Sequence, residues 1–461
     1  MSYQRVSIGA SVVRAPIDLT GQTASWVVPD AADPTHFTRV PGVLSPTNDG
    51  WTAPIADGAP AAEFSLPDPA NPYKRLYSFG TRNIKGLFGI FEHPGANDPA
   101  PAAGVFDTRI TLPSAYAANE GFQLFAIGPW GRHSFAAGEL PAVGGAAIGP
   151  VNIPYTLAQF PTINGLPLTQ LTAADQLVAL RYVGNDLTGS ALVPMFAQSG
   201  GTDPVTVTMA ANPHNSTLDV HIQPAAVGPR LNGTTPAVTG LSMSWSVVAA
   251  PAYLLANNNG VVLQSLGVAA TDSGAITTPY GNPFTALGWN SLFTWATSQS
   301  RTYTPPPGTL PMTLSAGMIQ QAEPSAGLTL DLPAGLPIVV SIDGTPLNSD
   351  GKTITIDPTK LVELALVADK TTNTLYQWNV YELVPNPQNT ALTYLQRYAA
   401  LSLTNNVQVP GDAFEAGKTY TIRGHCIVGG FPDITAGDLQ MRNLPYAVSY
   451  LDSGVFKVAA P

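Results

Sequence analysis

Apolar and polar residues alternate with a period of two in many short runs of this chain, the pattern of strands that bury one face and solvate the other. Val362, Leu364, Leu366 and Ala368 alternate with Glu363, Ala365 and Val367. Tyr420, Ile422, Gly424, Cys426 and Val428 form one face of a second run, with Thr421, Arg423 and His425 on the other, and the first face is read as the core face. Leu241, Met243, Trp245 and Val247 form the apolar side of a third run. After the turn from Lys370 to Thr374, the run from Leu375 to Leu383 is expected to point Trp378 and Val380 inward.

The same reading places strands at Val6 to Val13, Thr23 to Val28, Arg75 to Phe79 and Leu87 to Phe91. Further strands are expected at Phe122 to Ile127, Leu177 to Val183, Val205 to Met209, Leu218 to Ile222, Val407 to Pro410 and Val455 to Val458. Ile338 to Ile342 and Thr353 to Ile356 flank Asp350-Gly351, and Asp-Gly between apolar runs predicts a hairpin. Tyr303 to Gly308, with three consecutive prolines, reads as a stiff break, and Pro311 to Gln321 as a strand pair belonging to one side of it or the other. Thr172 is a candidate N-cap for one helical turn before Leu180.

Composition agrees with an all-β chain. Gly (43) and Pro (44) interrupt long helices, charged residues are only 11 %, and the 44 % hydrophobic content is enough to build cores rather than leave the chain disordered. A length of 461 residues predicts about three domains. We expect tandem β-sandwiches: an N-terminal β-domain over 1–115, a middle β-sandwich region over 116–325 with room for two subdomains, and a C-terminal domain over 326–461. The net charge of −10 opposes binding to nucleic-acid phosphate or an anionic membrane surface, and no basic cluster offsets it locally. No apolar run approaches the ~20 residues of a membrane helix. Low charge and many short strands are in the style of exported bacterial proteins, yet Met1 to Val6 shows no basic segment leading into an apolar one, so a signal peptide is not expected and the localisation is left open.

Phe414-Glu-Ala-Gly417-Lys-Thr-Tyr420 carries the most specific signal. In sandwich domains a tyrosine placed this way hydrogen-bonds to backbone just upstream, and a glycine three residues earlier supplies the turn. From about Pro337 to the C-terminus the chain resembles a fibronectin type III or immunoglobulin-like domain, whose L-x-P-G-x-x-Y corner stands here with Phe414 for Leu and Ala416 for Pro. Ile422 occupies the position of the second cysteine in antibody domains, which excludes the disulfide-bonded branch. The resemblance implies a structural corner at Phe414, Gly417 and Tyr420 and carries no active site.

Candidate chemistry is sparse. His36, His93, His133, His214, His221 and His425 show no metal-ligand spacing, so no metal or cofactor site is expected. His425 and Cys426 are neighbours on one strand and point to opposite faces, so they form no nucleophilic dyad, and Cys426 reads as a small buried hydrophobe. Asp272-Ser-Gly274 and Asp452-Ser-Gly454 share the D-S-G run of aspartic proteases without its surroundings, and are read as a turn and a bulge. The Asp-Gly pairs at 49–50 and 343–344 lack the dense spacing of a calcium loop. Trp51 and Trp130 sit in turn-like sequence where an exposed indole could stack on a sugar ring.

These features predict a non-enzymatic structural, adhesive or protein-interaction component that acts through sandwich surfaces, with protein partners or self-assembly. The alternatives are a glycan-binding module using Trp51 and Trp130, and a hydrolase whose residues converge from distant loops.

Overall fold

The computed structural model describes most of residues 23–47, 104–156, 176–222, 239–251, 260–324, 335–431 and 444–461, together with shorter strands elsewhere. The fold is all-β: among the described residues the only helical segments are three short 3-10 turns, Ala137–Glu139, Thr285–Leu287 and Gly411–Ala413.

One sheet runs through most of the molecule. From Val261–Val268, which bridges to Asp186–Val193, it proceeds through the antiparallel strands Thr239–Pro251, Trp289–Tyr303 and Met312–Ala322. It continues through Tyr446–Asp452, Thr419–Gly429, Leu375–Pro385 and Leu392–Ser402. Lys74–Ser78 then adds in parallel to Leu392–Ser402, followed by Ala61–Ser65, Ala24–Pro29 and Phe37–Pro41. Early strands are therefore hydrogen-bonded to the sheet of the C-terminal region.

Among the described residues three large cores hold the layers together. In the C-terminal region, Val340, Ile342, Val362, Leu364 and Leu366 project from a four-stranded sheet onto Trp378, Val380, Ile422 and Cys426 of the long sheet, and Val27 joins them from the N-terminal strands. A second core gathers Trp245, Trp295, Leu218 and Val220, and a third gathers Phe106, Ile110, Ile148 and Val205. Glu120–Ile127 and Gln176–Val183 lie between these last two. Phe125, Val178 and Leu180 face the second core, whereas Leu124, Leu177 and Ala179 face the third. That arrangement explains the unbroken apolar run at Leu177 to Leu180, because a strand covered on both sides has no solvent face to make polar.

Several expectations change. Pro311 to Gln321 is a single strand, Met312–Ala322, rather than a strand pair, and it bonds to Trp289–Tyr303 on one side and Tyr446–Asp452 on the other. Gly317 is extended backbone at a point of close approach. A Cβ there would collide with the Thr297 carbonyl oxygen and the Tyr450 hydroxyl. The proline-rich segment after Tyr303 is the connection of a hairpin in which Tyr303 faces Met312.

The hairpin expected at Asp350-Gly351 forms instead at Asp343-Gly344, where both residues have positive φ (44° and 73°) and Ile342 pairs with Thr345. Lys352–Thr355 pairs in parallel with Phe456–Ala459. Val6 to Val13, read as one strand, is divided between the antiparallel partners Gln4–Ile8 and Val12–Pro16. Leu87 to Phe91 and Thr172 lie outside the described residues, and from Gln176 the chain is strand.

Candidate functional site

The strand Thr419–Gly429 positions both groups of interest. At its start, Gly417 has φ 86°, the left-handed conformation glycine adopts without strain. Two residues inside the turn, Glu415 donates its backbone N–H to the Tyr420 hydroxyl at 2.8 Å. The Tyr420 ring is 1 % exposed and packs on Phe414 and Phe456, with centroids 5.5 and 6.0 Å away. Burial of the phenol is the main reason its pKa is pushed up to about 12, against the opposing Glu415 hydrogen bond. Glu382, opposite Tyr420 in the register, pairs with Arg397 at 2.5 Å and with Lys418 at 3.5 Å.

Three residues further along, Arg423 stands opposite Asp452 on one neighbouring strand and Asn379 on the other. The Asp452 side chain is fully buried. It accepts from Arg423 Nε at 2.7 Å and Nη2 at 2.9 Å, from the Ser315 backbone N–H at 2.8 Å and from the Tyr394 hydroxyl at 2.8 Å. The guanidinium carbon lies 5.0 Å from the Tyr394 ring centroid, 5.1 Å from Tyr450 and 5.8 Å from Tyr381, within cation–π range of all three. Burial opposes the charge of Arg423, but the Asp452 carboxylate, aided by Tyr394 and Tyr381, holds its pKa above the ordinary arginine value. Burial likewise raises the hydroxyls of Tyr394, Tyr381 and Tyr450.

Chemically this cluster is a brace. A carboxylate that receives a bidentate guanidinium, a backbone amide and a phenol has its lone pairs committed to charge-assisted bonds. Through Asp452 the strands bearing Arg423, Ser315 and Tyr394 are tied to a single side chain. A second tie lies alongside: Arg301 pairs with Asp350, and its Nη2 donates to the Ser453 carbonyl at 3.1 Å. Thr421 is buried as well, with its hydroxyl 3.2 Å from the Ser453 carbonyl. Thr421 thus lies on the face opposite the core and is still excluded from water. Beyond Cys426 the alternation lapses, with Ile427 buried and Val428 half-buried.

Asp452 is the residue that sequence reasoning missed. Asp452-Ser-Gly454 reads as a bulge before Val455, whereas Asp452 ends a strand and Ser453 and Gly454 carry the connection onward. The signal was a charged residue, Arg423, facing away from the core on a strand otherwise poor in charge, which required a partner one strand over.

Elsewhere, Cys426 is buried, and burial first and the Asp369 charge second raise its thiol pKa well above the usual range. Trp51 lies in the two-residue strand Trp51–Thr52, paired with Val43–Leu44, and Trp130 lies outside the described residues. His133 is buried, with Nδ1 2.9 Å from the Gln159 carbonyl and Nε2 3.3 Å from Glu139. His214 Nε2 lies 3.1 Å from Asp186, whose pKa is raised by burial against the opposing effect of His214. Among the described residues, no three His, Cys, Asp or Glu side chains are grouped so that they could hold a metal ion. No protein-family model matches the chain, and no curated protein is similar to it.

Proposed function

We propose that this protein is a non-enzymatic structural or protein-interaction component whose C-terminal region is an immunoglobulin-like or fibronectin type III-like sandwich. The observation that carries this reading is the Met312–Ala322 strand, hydrogen-bonded on both sides within one sheet and braced by Asp452 through the Ser315 N–H. Such a sheet resists bending between its halves and presents loops and edge strands at fixed separations, which suits a part that acts by contact. The buried acids point the same way. Asp452, Glu382 and Glu120 are each engaged by an arginine of the same chain. Carboxylates committed in this manner serve packing rather than proton transfer.

Light scattering of the full chain over a concentration series, combined with a screen for ester, peptide and glycoside hydrolysis, tests the reading. The expected result is a defined homomeric assembly or a complex with a protein partner, with no turnover. A strictly monomeric protein that turns over one of these substrates, and loses that activity on a single substitution in a cleft, would overturn it.

A further inference from the structure

The core of the middle region contains a cluster of polar atoms that the protein itself does not satisfy. Trp245, Trp295 and Gln320 occupy consecutive cross-strand positions in one row, and Thr297 lies two residues beyond Trp295 on the same face. Trp245 is 1 % exposed, Trp295 0 % and Thr297 2 %. The indole Nε1 atoms of both tryptophans, the Thr297 hydroxyl and Gln320 Oε1 are all buried without a hydrogen-bond partner among the described residues. Trp378 also has an unpartnered indole Nε1, but no unpartnered acceptor occupies a neighbouring position of its row. What distinguishes the middle region is the company of donors and acceptors.

We propose that these four side chains bound a small internal chamber that binds ordered water. The chemistry of the set is complementary to water and to little else of that size. Two indole N–H groups can only donate, Gln320 Oε1 can only accept, and a hydroxyl can do either. A water molecule accepts from the indoles and donates to the oxygens, and a buried water needs two to four such partners. Neighbouring strands lie ~4.8 Å apart, so a chain of one to three waters spans the row. The surroundings are apolar: Met243, Met318 and Phe293 belong to the same core, and the half-buried Gln320 closes its outer end. This is a bound-water site inside a sandwich, separate from the Arg423–Asp452 brace.

Two measurements on the full chain test it. In a crystal structure, water oxygens are expected within about 3.2 Å of the Trp245 and Trp295 Nε1 atoms and of Gln320 Oε1 or Thr297 Oγ1. Thr297→Val keeps the shape of the side chain and removes a water partner. Its thermal midpoint is expected to fall by about 2 °C or more, because the waters left behind lose a hydrogen bond. A dry chamber predicts the opposite sign, since deleting an unsatisfied buried hydroxyl is favourable. Density for a larger organic molecule, the absence of density beside both indoles, or a midpoint that rises in Thr297→Val would each overturn the assignment. Should Thr297→Val not fold, the crystal structure of the parent chain decides alone.

Discussion

Two rows of one sheet treat buried polarity in opposite ways. In the row of Arg423, Asp452 and Ser315, donors and acceptors meet at 2.7–2.9 Å and three tyrosine rings surround the cation. In the row of Trp245, Trp295 and Gln320, polar atoms enter the core without a protein partner. Both rows reach the same strand, Met312–Ala322, which contributes Ser315 to one and Gln320 to the other. The lesson is that a strand can be rigidly fixed at one end by saturated side-chain bonding and depend on packing and backbone pairing at the other. Stability should therefore be unevenly distributed along it.

The comparison can be broken at its strong end first. Asp452→Ala leaves a half-buried guanidinium among three tyrosines with no counter-charge, and should cost about 3 kcal/mol or more in denaturant unfolding. A cost below about 1 kcal/mol would place the cluster among surface ion pairs and remove the contrast.

Gly317→Ala acts between the two rows. Its methyl would press on the Thr297 carbonyl and the Tyr450 hydroxyl, forcing the paired backbones apart at an expected cost of about 1–3 kcal/mol. Unchanged stability would mean that the strands slide without penalty at this point. Tyr420→Phe, away from the bridging strand, removes one buried hydroxyl bond and should cost about 1 kcal/mol. It is the local reference against which the other two are judged.

The same phenol gives a pH dependence. Its folded pKa, about 12, lies above the unfolded value near 10, so folding favours the protonated form. Its contribution is complete below about pH 10 and is lost as pH rises toward 12. Chemical denaturation at stepped alkaline pH should show midpoints falling above pH 10, with a shallower fall in Tyr420→Phe. Equal slopes in the two proteins would remove Tyr420 as a contributor. The smallest effect is kinetic. Cys426 should react slowly with a thiol reagent at neutral pH and quickly after unfolding, since its thiol is both buried and hard to ionise. Rapid labelling of the native protein would show that the Thr419–Gly429 strand opens readily.

The local content of the fold was legible wherever one face is buried and the other wet. Val362, Leu364 and Leu366 are buried as their alternation requires, as are Trp378, Val380, Trp245 and Cys426. Partnering was not legible, because parallel pairing leaves no local mark: nothing near Lys352–Thr355 in sequence announces Phe456–Ala459. Asp-Gly misled at 350–351, because two such pairs stand seven residues apart and only one of them turns a hairpin. Asp452 was hidden by its own neighbours, since Ser453 and Gly454 make the preceding aspartate read as part of a bulge before Val455.

The joining of the earliest strands to the latest ones sets a schedule for the ribosome. Arg39 grips Asp412 with two hydrogen bonds of 2.7 and 2.8 Å across 373 positions of chain, and Lys74–Ser78, paired locally with Ala61–Ser65, gains its second neighbour in Leu392–Ser402. At ~5–20 residues per second, the N-terminal strands wait on the order of tens of seconds after emerging before their partners exist. During that interval the open edge of Lys74–Ser78 is the part of the nascent chain that a chaperone would need to shield, and a truncated chain ending before Leu392 would leave that edge without its partner strand.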